Sequence, residues 1–415
     1  MAVRVTGPAT TTVGSCRSVR AVGRRLRRTW PQRLVIGFGV VVVFACVGSA
    51  MALWWANQQI SRLHRVVLVH APVTNTLPVA TPPGSPLSDV TTGGRPVGAT
   101  NFLFTGSDSR SCIDPSSPYA GAFLGDGTAG ARSDTIMVFH VDPTSAQAAI
   151  LSFPRDLWVP IAGTPRKDRI NSAFDPDDPS RLVQTIETNF GIHIDHFVGV
   201  DFCAFKTMVD AVGGIRIPFA YPTRDTHTGL DITEPGCIKM TGDEALAYVR
   251  SRYYQYQTPD GRWHDDGTSD YGRIARQQDF VRRVLQRALD RGATNPGVAK
   301  QLLDIAVSNN VHVDADLTLS DLLQLGHKLK NLDTSAIQRY RLEGRDTVIG
   351  GADVIIPNLT TPANQAILSL FRGETTNAVQ PSTTDATPAA PGQPAGPVPP
   401  ANPAGIYPPD DPTCR

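Results

Sequence analysis

Apolar and polar positions along this chain follow three different patterns, and each predicts a different kind of element. From Leu34 to Ala56 there is no alternation: 23 successive positions carry no charge, with Val the commonest residue. At ~1.5 Å per residue such a helix spans a hydrocarbon core of about 30 Å. Trp54 and Trp55 close the run as an interfacial aromatic belt does. A buried globular helix would show a polar face, and this run has none. A cleaved signal peptide is the alternative, because Ala50-Met51-Ala52 resembles a cleavage site, but the apolar core exceeds the usual signal length.

The second pattern is short apolar runs bounded by turn residues, which read as strands: Phe102–Phe104, Thr135–Val141, Ala148–Phe153, Phe197–Val200 and Gly214–Ile217. Thr135–Val141 is apolar on both faces apart from His140, so a central strand covered on both sides is expected. The third pattern is helical, at Leu182–Asn189, Phe202–Val212 and Arg273–Asp290. Gly213-Gly214 is a stop signal for the second of these helices. Thr241 and Glu244 form a capping box ahead of Ala245-Leu246-Ala247-Tyr248. The alternation predicts an α/β fold, a central mixed β-sheet flanked by helices, with one N-terminal transmembrane helix.

Composition sets the boundaries. Residues 57–98 are Pro-, Thr- and Gly-rich and read as a linker, and 374–415 as a disordered Pro/Ala/Thr-rich tail. Between them, 99–373 is long enough for one large domain. Residues 1–33 hold Arg17, Arg20, Arg24, Arg25, Arg27, Arg28 and Arg33 with no acidic residue. The positive-inside rule then puts this stub in the cytoplasm and the large domain outside a single-pass cell membrane anchor. A formal net charge of +1 gives no bulk attraction to nucleic acid. Of the six cysteines, Cys112, Cys203, Cys237 and Cys414 fall on the outer side. Four cysteines allow three full pairings, and Cys203 with Cys237 is expected because both flank one strand region.

The candidate chemistry is basic and local. Arg250 and Arg252 are an i, i+2 pair that points one way on an extended backbone, and Arg273, Arg276 and Gln277 share one helix face. Planar, permanently charged donors in this density suit phosphate or diphosphate. Three strand ends add Asp108 with Arg110, Arg132 with Asp134, and Arg155 with Asp156; strand ends are where α/β folds collect ligand sites. Any one such pair alone reads as a surface ion pair. Arg282, Arg283 and Arg287 are expected on a solvated face, and Arg276 is left open. His193, His196, His227 and His264 show no zinc spacing.

Eight strings occur in order: Asn101–Arg110, Arg132–Thr135, Ser152–Asp156, Arg169–Ala173, Val200–Phe202, Val209–Gly214, Gly242–Arg252 and Gly272–Gln278. Together they resemble the LytR-CpsA-Psr family of cell-wall glycopolymer ligases. That resemblance implies a membrane-anchored extracytoplasmic phosphotransferase. It would move a glycopolymer from a polyprenyl diphosphate carrier onto peptidoglycan, using Mg²⁺ and an apolar tunnel for the lipid. Carried over by motif, Asp108 and Asp134 are associated with the metal, and Arg132, Arg155, Arg250, Arg252, Arg273 and Gln277 clamp the diphosphate. Asp108, Arg132, Asp134 and Arg155 are the catalytic set, while the general base stays open among Asp108, Asp134 and Asp156. The insertion 253–271, carrying Trp263, His264, Asp265 and Asp266, reads as a lid, an acceptor contact or plain surface.

Two alternatives stand beside this reading. One is hydrolysis of the same diphosphate; the other is a non-catalytic polyprenyl-phosphate-binding or regulatory protein. The short basic stub cannot hold the two helices and turn of a helix-turn-helix.

Overall fold

The computed structural model describes residues 48–72, most of 99–374, and Cys414. Residues 1–47, 73–98, 375–413 and 415 lie outside the described residues, as do short stretches including 108–111, 113, 125–132, 143–146 and 306–310.

A seven-stranded mixed sheet forms the centre, in the order β1 (His64–Val66), β14 (His312–Asp314), β7 (His196–Asp201), β2 (Thr100–Ser107), β3 (Ser133–Asp142), β4 (Gln147–Ser152), β15 (Gln338–Arg341). β2–β3–β4 are antiparallel, whereas β7 joins β2 in parallel, which is the mixed character expected. Side chains of successive strand residues point to opposite faces, and the two faces have separate cores. Leu103, Ile136, Val138 and Leu151 pack in one cluster with Leu182, Val183, Ile186 and Phe190 of α3 (Ser180–Phe190) and Leu368 and Phe371 of α7 (Pro362–Arg372). Phe102, Met137, Phe139 and Ile150 pack on the other with Ala204 of α4 (Phe202–Ala211). β3 is buried along nearly its whole length, as the unbroken apolar run predicts for a doubly covered strand.

Two hairpins edge this body, β5 (Trp158–Pro160) with β6 (Lys167–Arg169), and β16 (Gly344–Ile349) with β17 (Ala352–Pro357). A third apolar cluster lies around the antiparallel pair β8 (Ile215–Phe219) and β11 (Gly236–Met240), with α5 (Gly242–Arg250) and Phe280 of α6 (Asp270–Gly292). A small sheet, β10 (Leu230–Ile232), β9 (Thr223–Asp225), β12 (Gln255–Gln257), β13 (Trp263–Asp265), completes the subdomain. The insertion 253–271 therefore contributes two strands to a sheet.

The helix signals hold. Thr241 accepts from the Glu244 backbone while the Glu244 carboxylate bonds the Thr241 N–H, the reciprocal capping box. Gly213 and Gly214, at φ 79° and 80°, return two N–H groups to Asp210 and Val209 at the end of α4.

Three expectations are corrected or extended. The disulfides are Cys112–Cys203 and Cys237–Cys414, not Cys203–Cys237. Pairing follows tertiary proximity: Cys203 opens α4 beside the loop after β2, and Cys414 is buried against β11 and α6. The end of the tail is thus fixed to the domain. Residues 60–66, placed by composition in the linker, are part of the folded body, since Ile60, Leu63 and Val66 are buried and β1 pairs with β14. Residues 48–60 form α1, on which Met51, Leu53 and Trp54 are exposed. Among the described residues no helix is long and apolar enough to cross a membrane, and most of the expected span 34–56 lies outside them.

Candidate functional site: an arginine cluster around Asp134

The antiparallel register of β3 and β4 builds the first half of the site. It pairs Met137 with Ser152, and the Phe153 N–H still bonds the Ile136 carbonyl beyond the strand end. Carried on, that register sets Arg155 opposite Asp134. Arg155 Nη1 reaches Asp134 Oδ1 at 2.6 Å, and Nε reaches Asp156 Oδ2 at 3.2 Å. Asp156 also meets Arg169 Nη1 at 3.2 Å, drawing the end of β6 into the group.

The second half comes from the chain reversal between α5 and α6. Arg250 is the last residue of α5, and Ser251 leaves the helix in an extended conformation. Arg250 and Arg252 therefore project the same way, at 3.3 and 3.8 Å from the Asp134 carboxylate. Arg250 also donates through Nη1 to the Ala122 carbonyl of α2 (Ala120–Leu124) and stacks 4.3 Å over the Phe202 ring. Arg273, in the first turn of α6, places Nη2 2.7 Å from Asp270 Oδ1, and Arg252 Nε lies 3.6 Å from the same oxygen.

Five arginines thus face three carboxylates, Asp134, Asp156 and Asp270, leaving two positive charges uncompensated within the group. Arg252 Nη2 and Arg273 Nε and Nη2 are buried with no hydrogen-bond acceptor aligned on them. Leaving charged donors unsatisfied in a buried site is costly, so the arrangement calls for an anion. The electrostatics agree. Burial pushes the Asp134 carboxyl up, but Arg273, Arg155 and Arg250 outweigh it and hold the group well below the usual carboxylate range. Burial, with neighbouring Arg252 and Arg155, pushes the Arg273 guanidinium down to about 10 despite Asp270. A negative charge added beside Arg273 would favour its charged form and offset the effect of burial.

A family model, LytR_cpsA_psr, matches residues 83–368, well over half of the chain. The chain belongs to the LytR-CpsA-Psr family. It is 34% identical over 220 residues to a Corynebacterium glutamicum protein named "Probable cell wall biosynthesis protein LcpB", covering 52% of this chain and 49% of that one. It is 31% identical over 194 residues to a polyisoprenyl-teichoic acid–peptidoglycan teichoic acid transferase of Enterococcus faecalis, covering 47% and 58%. Among solved structures, a LytR-Csp2A-Psr enzyme from Actinomyces oris matches with a TM-score of 0.52 and 25% identity, over 74% of this chain and 96% of that one. The matched part spans about half the length of these curated relatives. Relatives in the LytR-CpsA-Psr family are named as transferases, and the mixed α/β architecture is that of the family.

Of the residues expected at the site, the structure brings together Asp134, Arg155, Arg250, Arg252 and Arg273. Asp108 and Arg132 lie outside the described residues. Gln277 is buried one turn beyond Arg273 and its Nε2 donates to the Val249 carbonyl at 3.3 Å. Arg276, left open by the sequence, is fully buried: Nη1 meets Asp266 at 2.8 Å, Nη2 donates to the Ser251 carbonyl at 2.6 Å, and Tyr254 lies under it. It braces the Arg250–Arg252 turn from behind. Arg282 and Arg283 are not on a solvated face; both are buried and share Asp279. Their i−3 and i−4 spacing from Asp279 was the available signal.

Sequence reasoning also missed two acids. Asp270, one helical turn before Arg273, holds two of the arginines. Asp225, fully buried, accepts from Ser251 Oγ at 2.6 Å, from the Arg252 N–H at 3.1 Å and from the Tyr253 N–H at 3.0 Å through one oxygen. Nothing local in Thr-Arg-Asp-Thr-His marks that role.

Proposed function

We propose that this protein is a membrane-anchored, extracytoplasmic phosphotransferase that moves a glycopolymer from a polyprenyl diphosphate carrier onto peptidoglycan. One observation carries the reading: guanidiniums from three separate segments, Arg155, Arg250 with Arg252, and Arg273, converge around Asp134 and Asp270, and Arg252 and Arg273 keep buried N–H groups with no hydrogen-bond acceptor aligned on them. A diphosphate supplies several charged oxygens for such donors. The names of the teichoic acid transferases among the relatives support the same substrate class.

In this reaction the acceptor hydroxyl oxygen bonds to the phosphorus on the glycan side. The bridging P–O bond breaks, and polyprenyl phosphate leaves with the bond electrons. The hydroxyl proton has to be released, and Asp134 is a poor acceptor for it because the arginines hold it ionised as a weak base. Its work is to fix Arg155, Arg250 and Arg252, which stabilise charge on the phosphoryl oxygens as the bridge breaks.

Mg²⁺ fits the donor chemistry of Asp134. It is a hard cation that binds carboxylate and phosphate oxygens. Asp134 stays ionised, and a carboxylate with roughly four lone-pair directions can meet its three arginines and an ion. Asp134 and Asp108 would hold it, and it would neutralise phosphate charge. Apolar side chains left partly buried at the edge of one core support a lipid-borne substrate. Phe104, Val198, Val200, Met208, Val281 and Leu285 are only partly buried, although they edge the core between the sheet and helices α4 and α6.

The test is transfer by the full-length protein with Mg²⁺, a polyprenyl diphosphate-linked glycan and peptidoglycan. Covalent conjugate and free polyprenyl phosphate are expected together. Glycan phosphate released without acceptor would identify a hydrolase, and tight lipid binding with no turnover at any metal concentration a binding protein.

A further inference from the structure

Tyr253 is a large aromatic residue left 57% exposed, immediately after Arg252. Its ring stacks on His227 with centroids 4.1 Å apart and an interplanar angle of 28°. The buried Asp225 carboxylate fixes both partners. One oxygen takes the N–H groups of Arg252 and Tyr253, and the other takes the His227 N–H at 2.9 Å. The pair is therefore tied to the same anchor as an arginine of the cluster.

A second contact places it at the rim of that site. Gly121 of α2 packs so tightly on the turn that a Cβ there would come 2.0 Å from the His227 carbonyl oxygen. The next residue, Ala122, gives its carbonyl to Arg250. His227 and Tyr253 are thus linked to Arg250 on one side and Arg252 on the other.

We propose that the stacked Tyr253–His227 pair is a subsite for the sugar ring joined to the diphosphate. This rests on the proposed reading of the arginine cluster. A sugar ring has a face of C–H groups that packs on an aromatic plane, and a rigid platform loses little entropy on binding. Built beside the phosphate donors, such a platform would select a carrier that bears a glycan over a bare lipid phosphate or diphosphate.

The experiment measures binding of full-length protein in detergent to two probes, geranylgeranyl diphosphate and geranylgeranyl-diphospho-N-acetylglucosamine. The wild type is expected to favour the sugar-bearing probe. Tyr253→Ala should shrink that preference about fivefold, whereas Tyr253→Phe should keep it. Arg273→Ala should weaken both probes together, which reports the arginine reading separately. If the wild type binds both probes equally, or if Tyr253→Ala leaves the preference intact, the subsite is wrong while the clamp stands. If the wild type binds neither probe, both proposals fall.

Discussion

Arg155 and Asp134 meet across the ends of two neighbouring strands because the β3–β4 register, continued past the last ladder bond, sets them opposite each other. The pair is held by the sheet itself. The Asn171 N–H binds the Arg155 carbonyl and so fixes the backbone from the far side. A site built on strand ends in this way presents its cations in place before any ligand arrives, which is what charge stabilisation in a transition state requires.

On the proposed diphosphate reading, removing one of these arginines should slow transfer strongly and spare the fold. Arg252→Ala and Arg273→Ala are each expected to lower transfer by about 10²–10³. Circular dichroism spectra should match the wild type. Undiminished conjugate formation in either variant would remove the arginines from the mechanism.

Asp134 sets an acid limit on stability. Its carboxyl is depressed below the ordinary 3.8, because Arg273, Arg155 and Arg250 outweigh the effect of burial. The stabilisation is therefore fully present above the unfolded value and is lost as pH falls through and below it. Asp134→Asn should cost about 2 kcal/mol at pH 7, less than the ~3–5 kcal/mol of a fully buried pair. Urea midpoints between pH 6 and 2.5 should fall less steeply for the variant. Parallel curves would rule this origin out.

Arg276 and Arg273 lie one turn apart and should behave differently. Arg276→Met removes the brace on Ser251 and strands Asp266 in the interior. A loss of about 3–5 kcal/mol is expected, seen as a large drop in melting temperature. A variant that melts like the wild type but fails in transfer would instead move Arg276 into the site.

The disulfides are open to a direct check. Alkylation without reductant should leave Cys112, Cys203, Cys237 and Cys414 unlabelled, and peptide mapping should recover 112 with 203 and 237 with 414. Replacing Cys112 and Cys203 together by Ser should cost about 2–5 kcal/mol. Recovery of a 203–237 peptide would contradict the structure.

The sheet, its central strand and three helices were legible because their apolar periods are local properties. So was half of the site: the i, i+2 geometry of Arg250 and Arg252 needs only an extended Ser251. What could not be read depends on contacts between distant segments. Asp225 lies far from the turn it organises, and Cys414 reaches Cys237 across 177 positions. Arg282 and Arg283 looked like solvated charge because composition alone does not reveal that Asp279 is buried beneath them.

The Cys237–Cys414 bond also sets a reach. Gly373 caps α7 at one end and Cys414 is buried at the other, so the roughly 40 residues between them begin and end on the same body. A segment held at both ends can extend no farther than half its contour, about 70 Å. Cut or reduced at Cys414, it could extend about twice as far. A thiol reductant would thereby change how far from the domain this stretch of chain can extend.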